Sequence, residues 1–211
     1  MRKIAWFFAA ISLGLIHLRT IAQVQDSIPP SQWQHGMVVS NYIFRDDFFI
    51  IPVYQVNKDW LHLEARYYYE DENTFSAWFG YNFTGGNKFE YTITPMIGGI
   101  LGNTDGIAPG LELDFCFFGF EFYSESEYIF DFDGKEEYFY YNWTDFTYSP
   151  LDWLWFGLSI QRTKLYETDL EIQRGLELGG GYRWIGLTGY IYNLGWDEPY
   201  GIITLSVNLP E

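Results

Sequence analysis

The side chains of this chain best placed to do chemistry are carboxylates two residues apart: Glu112 with Asp114, Glu125 with Glu127, and Glu64 between His62 and Arg66. On a strand such neighbours face one side with Cα atoms about 7 Å apart, a spacing open to glycoside chemistry or a Ca²⁺ site. With 28 acids against 12 bases, pairs of this kind also arise from composition alone. Acyl hydrolysis would need a Ser-His pair with an orienting Asn or carboxylate. His62 is the histidine inside the strand region, because His17 lies in the N-terminal apolar run and His35 just before the first strand. Hairpin pairing sets His62 opposite Asn82 and Ser76 opposite Tyr68, so Ser76 is roughly 20 Å from the imidazole, far beyond hydrogen-bond reach. Ser159 sits on a strand that is not an immediate neighbour of His62. The chain has no phosphate-cradling glycine loop and no Cys/His metal spacing. No metal and no other cofactor is expected, and the sequence favours a role other than catalysis.

The elements that position these residues are read from Trp60 to Phe83. Leu61, Leu63, Ala65, Tyr67 and Tyr69 alternate with His62, Glu64, Arg66, Tyr68 and Glu70. After Asp71-Glu72-Asn73 the alternation resumes, with Phe75, Ala77, Phe79, Tyr81 and Phe83 against Thr74, Ser76, Trp78, Gly80 and Asn82. Period two is the strand signature. Two runs of about ten residues, each with one apolar face, suit tilted strands that cross a bilayer.

The chain opens with Arg2-Lys3, an apolar run from Ile4 to Ile16 and Thr20-Ile21-Ala22. This is the pattern of a secretory signal peptide over residues 1–22, cut after Ala22. Its removal takes three bases and no acids, leaving nine bases against 28 acids, a surface that repels nucleic acid. One cysteine, Cys116, excludes an internal disulfide framework. Residues 23–35, with Pro29-Pro30, read as a periplasmic leader.

From residue 36 about twelve strand-like segments follow, over 36–44, 48–56, 60–70, 74–84, 88–100, 106–117, 120–132, 136–148, 153–164, 169–180, 183–194 and 199–209, with ten as the alternative count. Tight connections (Asn57-Lys58-Asp59, Gly85-Gly86-Asn87, Phe118-Gly119, Ser149-Pro150-Leu151, Gly181-Tyr182) alternate with polar, mostly acidic ones such as Arg45-Asp46-Asp47, Asp133-Gly134-Lys135, Tyr166-Glu167-Thr168 and Trp196-Asp197-Glu198. Signal peptide, consecutive hairpins and aromatic-ended strands together resemble a small outer-membrane β-barrel of Gram-negative bacteria, over roughly residues 36–209. The resemblance implies an all-β, antiparallel, up-and-down transmembrane barrel with short periplasmic turns and longer outer loops. Such barrels often finish on an aromatic residue, whereas this chain finishes Leu209-Pro210-Glu211. A soluble sandwich or lipocalin-like barrel would also alternate, but with its apolar face inward. The 22% aromatic content favours girdles at two membrane interfaces.

With the apolar face on lipid, the lumen receives His62, Glu64, Arg66, Glu112, Asp114, Glu125, Glu127, Tyr141, Trp143, Asp145 and Glu177. Acids and aromatic faces in a pore favour cations or polyhydroxylated solutes, and about twelve strands with this many inward aromatics predict a narrow or closed bore. The expected function is a narrow channel or binding barrel for small solutes. Its alternatives are a plugged structural or partner-binding barrel and a lipid-acyl hydrolase.

Two outward features break the apolar band. A two-residue Asp133-Gly134 turn would mix the faces of its strands, so a three-residue loop is preferred. That register sets Ser124 opposite Thr144 and Ser126 opposite Asn142 on the lipid side, a candidate protomer contact in a homo-oligomer, with a local bulge as the alternative. Arg162 and Arg174 also point outward by parity, where they could grip lipopolysaccharide phosphates. In the alternative, a bulge turns one inward toward Glu171 or Glu177.

Overall fold

Alternation of apolar and polar residues carries nearly the whole chain into strands. The computed structural model describes residues 32–165, 170–196 and 198–209. The strands are β1 (Gln34–Ile43), β2 (Phe48–Lys58), β3 (Leu61–Tyr67), β4 in two runs (Phe75–Tyr81 and Phe83–Gly86), β5 (Phe89–Leu101) and β6 (Gly106–Phe117). They continue as β7 (Phe120–Asp131), β8 (Phe139–Leu151), β9 (Leu154–Leu165), β10 (Glu171–Tyr182), β11 (Ile185–Tyr192) and β12 (Tyr200–Leu209). Each pairs antiparallel with its sequence neighbour, and β12 pairs with β1 from His35↔Leu209 to Ile43↔Gly201. The result is a closed 12-stranded up-and-down barrel, which leaves no sheet edge unpaired. No helix among the described residues is long and apolar enough to cross a membrane; crossing by strands needs none.

Burial alternates along the strands: in Phe75–Tyr81 the order is exposed, buried, exposed throughout. The exposed set is apolar. Ile97, Leu158, Leu178 and Leu187 lie along the middle of the wall, and Trp60, Phe83, Phe89, Phe118, Trp153, Tyr182 and Trp184 ring the end with tight turns. Phe48, Tyr67, Phe75, Phe130 and Phe132 ring the loop end. An outward apolar band between two aromatic girdles is the surface of a lipid-embedded barrel, and the soluble alternative, with its apolar face inward, is excluded by it.

At the turn end, Phe118 (φ 47°) and Gly119 (φ 80°) both take the left-handed conformation of a two-residue type I′ turn, which closes on Phe117↔Phe120. The other expected tight turns shift along the chain: β2 runs to Lys58 and reverses at Asp59-Trp60, and β4 runs to Gly86 and reverses at Asn87-Lys88. β8 runs on through Ser149-Pro150-Leu151 and the chain reverses at Asp152-Trp153, with a register shift between Leu154 and Phe156. Likewise β10 includes Gly181-Tyr182, and the reversal falls at Arg183-Trp184, where Arg183 has φ 57°. At the loop end, β7 stops at Asp131 and a 3-10 turn over Lys135–Glu137 precedes β8, a wider connection than the expected three residues. The register is the expected one all the same, with Ser124↔Thr144 and Glu127↔Tyr141. β1 begins at Gln34, inside the stretch read as leader. The signal peptide and most of the leader, and the loop at Tyr166-Glu167-Thr168, lie outside the described residues.

Candidate functional site

Period two sends His62, Glu64 and Arg66 of β3 into the barrel, where all three are buried. The Arg66 guanidinium meets Glu64 Oε2 through Nε at 2.7 Å and Nη2 at 2.5 Å. Its Nη1 reaches β7, 2.6 Å from Glu125 Oε1 and 3.2 Å from Glu127 Oε2. β3 and β7 are four strands apart, so this network spans the interior rather than following the wall. Its planar faces carry Tyr69 at 4.5 Å and Trp78 at 4.6 Å. Arg66 is 1% exposed, and a charge so buried persists only when paired and hydrogen-bonded.

Tyr69 comes from a place that alternation does not foresee. β3 stops at Tyr67, Tyr68 adopts φ 62°, and Tyr68 N–H donates to Thr74 O at 2.8 Å. The reversal flips Tyr69 from the expected outer face to the inside, where its hydroxyl donates to Glu125 Oε2 at 3.0 Å. Glu70 follows it in: its Oε1 accepts from Ser76 Oγ at 2.5 Å and Trp78 Nε1 at 3.2 Å, and burial pushes its carboxyl above the ordinary range. The loop at the end of β3 thus caps the Arg66 network from above.

Trp78, 2% exposed, lies over β5 and β6, and only glycine fits beneath it. A Cβ on Gly98 would stand 2.6 Å from the indole, and one on Gly110 2.8 Å. Glycine plays the same part at Gly179, whose added Cβ would fall 2.1 Å from Trp155 Nε1. Gly179 therefore makes room for an inward tryptophan, at the head of a glycine run that lies near a turn.

His62 pairs with Gly80, not Asn82, because the β3–β4 register is two residues tighter than expected. Its Nδ1 contacts Asn57 Oδ1 at 2.9 Å, and Asn82 Nδ2 donates to the same oxygen at 2.8 Å. Glu112 on β6 approaches His62 Nε2 to 3.8 Å and accepts from Tyr123 OH at 3.2 Å. Ser76 is engaged by Glu70, and Ser159 by Asp145 and Tyr192. His62 bonds to neither serine, so neither forms a Ser-His pair with it.

Around the rest of the interior, Trp143 Nε1 donates to Asp145 Oδ1 at 2.7 Å and Tyr190 OH to Asp145 Oδ2 at 3.4 Å. Tyr192 stacks on Tyr200 at 4.9 Å, and Tyr141 meets Tyr69 edge-on at 5.9 Å. Gln161 of β9 bridges Tyr42 of β1 and Tyr200 of β12. These groups and the Arg66 network lie toward the loop end and fill that cross-section. Toward the turn end Glu112 and Asp114 are only half-buried, Asp114 taking Cys116 Sγ–H at 3.4 Å, while Glu177 is buried opposite Gly157.

On the outer wall, Ser124, Ser126, Asn142 and Thr144 bond to one another. Asn142 Nδ2 donates to Ser124 at 3.0 Å and Ser126 at 2.9 Å, and Thr144 donates to Asn142 Oδ1 at 3.0 Å. Arg162 Nη1 completes the cluster at 2.5 Å from Asn142 Oδ1. The β7–β8 and β9–β10 ladders run unbroken here, so neither expected bulge forms. Arg162 and Arg174 both stay outward, away from Glu171 and Glu177. Their positions are diagonal across the β9–β10 pair, roughly 7–8 Å apart.

A closed 12-stranded barrel with an apolar outer band and a polar, aromatic inside has the fold of an outer-membrane porin. Two solved structures share it: one described as "KdgM porin", at TM-score 0.59 and 10% identity, and "KdgM porin in complex with disordered oligogalacturonate", at TM-score 0.62 and 11% identity. Each is matched over 83% of this chain and 99% of its own. The P. aeruginosa protein OccK5 (OpdH) matches 88% of this chain and 69% of its own at TM-score 0.46 and 10% identity. No family model and no curated protein matches the sequence.

Proposed function

We propose that the chain is exported through its N-terminal signal peptide to the outer membrane of a Gram-negative cell. There it acts as a narrow channel or binding barrel for small cationic or polyhydroxylated solutes. The observation that carries this reading is the inward charge: Glu64, Glu112, Asp114, Glu125, Glu127, Asp145 and Glu177 face one arginine, and Arg66 is already engaged by three of those acids. The shared fold supports a passage for hydrophilic solutes, but oligogalacturonate, named with one of the similar porins, is a polyanion. An acidic bore repels such a chain and attracts cations, while the tyrosine and tryptophan faces suit neutral sugars. Swelling of liposomes carrying the refolded barrel tests the reading. Faster swelling in small sugars or amine salts than in galacturonate supports it, and equal or reversed rates would end it.

The filled cross-section favours a second reading, a plugged structural or partner-binding barrel. Tyr192 and Ser159 are wholly buried and Arg66 nearly so. Under that reading the liposomes do not swell at all. On the outer wall, Arg162 and Arg174 are proposed to bind lipopolysaccharide phosphate. The Ser124–Ser126–Asn142–Thr144 cluster is proposed as a contact with a second protomer or another protein partner, which crosslinking from Ser126→Cys in native membranes would reveal and purely monomeric adducts would refute.

A further inference from the structure

His62, Glu64 and Glu112 bring one ligand atom each to within 4.8 Å of one another. Three acids and imidazoles near each other do not make a site, but the hydrogen bonds behind His62 add a second observation. Thr94 Oγ–H donates to Asn82 Oδ1 at 2.7 Å, which turns the Asn82 amide so that Nδ2 donates to Asn57 Oδ1 at 2.8 Å. Asn57 Oδ1 is therefore an acceptor, and the His62 contact to it at 2.9 Å requires a proton on Nδ1. Nε2 is the nitrogen left to face the acids, and it holds either a second proton or a lone pair open to a cation. It makes no hydrogen bond, it is buried in a residue 3% exposed, and it faces Glu64 Oε1 at 3.1 Å and Glu112 Oε2 at 3.8 Å. Gln55 Nε2 donates to Glu64 Oε1 from the side, and the nitrogen and the two carboxylate oxygens sit this close only with a positive centre, a proton or a cation, between them.

We infer that these three side chains form a binding site for a divalent transition-metal ion of the zinc class. One imidazole nitrogen and two carboxylate oxygens are a zinc-type donor set that leaves a coordination position open. Tetrahedral ligands at zinc distances lie about 3.4 Å apart, so the His62–Glu64 separation already fits, and Glu112 closes on both from within the 4.8 Å that spans the three. The supporting shell is in place. Asn57 fixes the imidazole tautomer, Arg66 holds the far oxygen of Glu64, and Tyr123 holds the far oxygen of Glu112. Gly80, directly opposite His62, makes room for the ring; a Cβ there would come within 3.1 Å of His62 Cδ2. Glu112 retains 12% side-chain exposure and is the ligand an entering ion meets first. The site rests on the reading of the interior as a solute-accessible space in its entry path alone.

Isothermal titration of the refolded barrel in detergent with Zn²⁺ tests the site, with heat-modifiable migration on gels reporting the fold. The expected result is saturable binding of one ion, weakened more than about tenfold in His62→Gln and Glu112→Gln and unchanged in Glu90→Gln. Absence of saturable binding to the folded wild type would overturn the site, leaving a proton as the occupant between His62 and the acids. Equal binding by all the variants would overturn it too. Should the variants not fold, X-ray absorption of the zinc-loaded wild type decides. Imidazole scattering with oxygen ligands supports the assignment, and a shell of oxygens alone refutes it. Because titration does not require conduction, a barrel that binds zinc yet passes no solute would reject the channel and keep the metal site.

Discussion

Arg66 on β3 and Glu127 on β7 meet at 3.2 Å, Nη1 to Oε2, across the inside of the barrel. Neighbouring strands hold each other through backbone bonds, whereas this pair ties two walls four strands apart. Glu125 and Glu64 on the same guanidinium make the tie a network. Removing one partner of such a buried set leaves uncompensated charge, at a cost of about 3–5 kcal/mol. Arg66→Gln is therefore expected to lower the unfolding free energy by that order in urea titrations in detergent, with three carboxylates left facing one another. A change below about 0.5 kcal/mol, the level of ordinary surface substitutions, would show that the network holds nothing in place.

Trp78 needs the glycines beneath it. Gly98→Ala places a methyl where the indole now lies, 2.6 Å from its nearest carbons. The expected outcome is a loss of about 1–3 kcal/mol from overpacking, with a red shift of tryptophan fluorescence as the ring is pushed from its pocket. The same substitution at Gly99, whose added Cβ meets nothing within 4 Å, is the control and should leave both readings unchanged.

The sequence reading and the structure agree where physics is local. Period two over Trp60 to Phe83 is enough to sort His62, Glu64 and Arg66 from Leu61, Leu63 and Ala65, and matching of faces fixes the β7–β8 register even though the loop between them is longer than expected. Tyr69 was misplaced because a single left-handed residue, Tyr68, resets the alternation, and nothing in a tyrosine announces that conformation. Gly181-Tyr182 lies inside β10 rather than in a turn, because the glycine run begins at Gly179, which the Trp155 indole requires. The reversal falls on Arg183, another left-handed residue that its side chain does not announce. Contacts across the bore, Arg66 with Glu127 and His62 with Glu112, leave no trace in local spacing. They depend on which strands close the ring face to face.

Tyr69 and Tyr42 belong to the layer that fills the loop-end cross-section. Tyr69 touches Tyr141 and Glu125, and Tyr42 stacks on Phe49 at 4.9 Å. The double variant Tyr69→Ala/Tyr42→Ala is expected to raise single-channel conductance several-fold. An unchanged value would place the narrowest point elsewhere.

Arg162 and Arg174 stand diagonal to each other on the outer wall, with Arg162 anchored on Asn142 at 2.5 Å. Two guanidinium groups at this spacing suit one phosphate. Replacing both with Gln should reduce the lipopolysaccharide that co-purifies with the barrel, measured by phosphate and acyl-chain analysis. Unchanged lipid content would remove the phosphate contact from the account.

The central claim, an acidic bore that selects for positive charge, is tested most directly by the reversal potential of the wild-type barrel in a planar bilayer under a KCl gradient. The account predicts discrete steps whose reversal potential has the sign of K⁺ permeation. Steps with the sign of Cl⁻, or a folded and inserted barrel that never conducts, would contradict it.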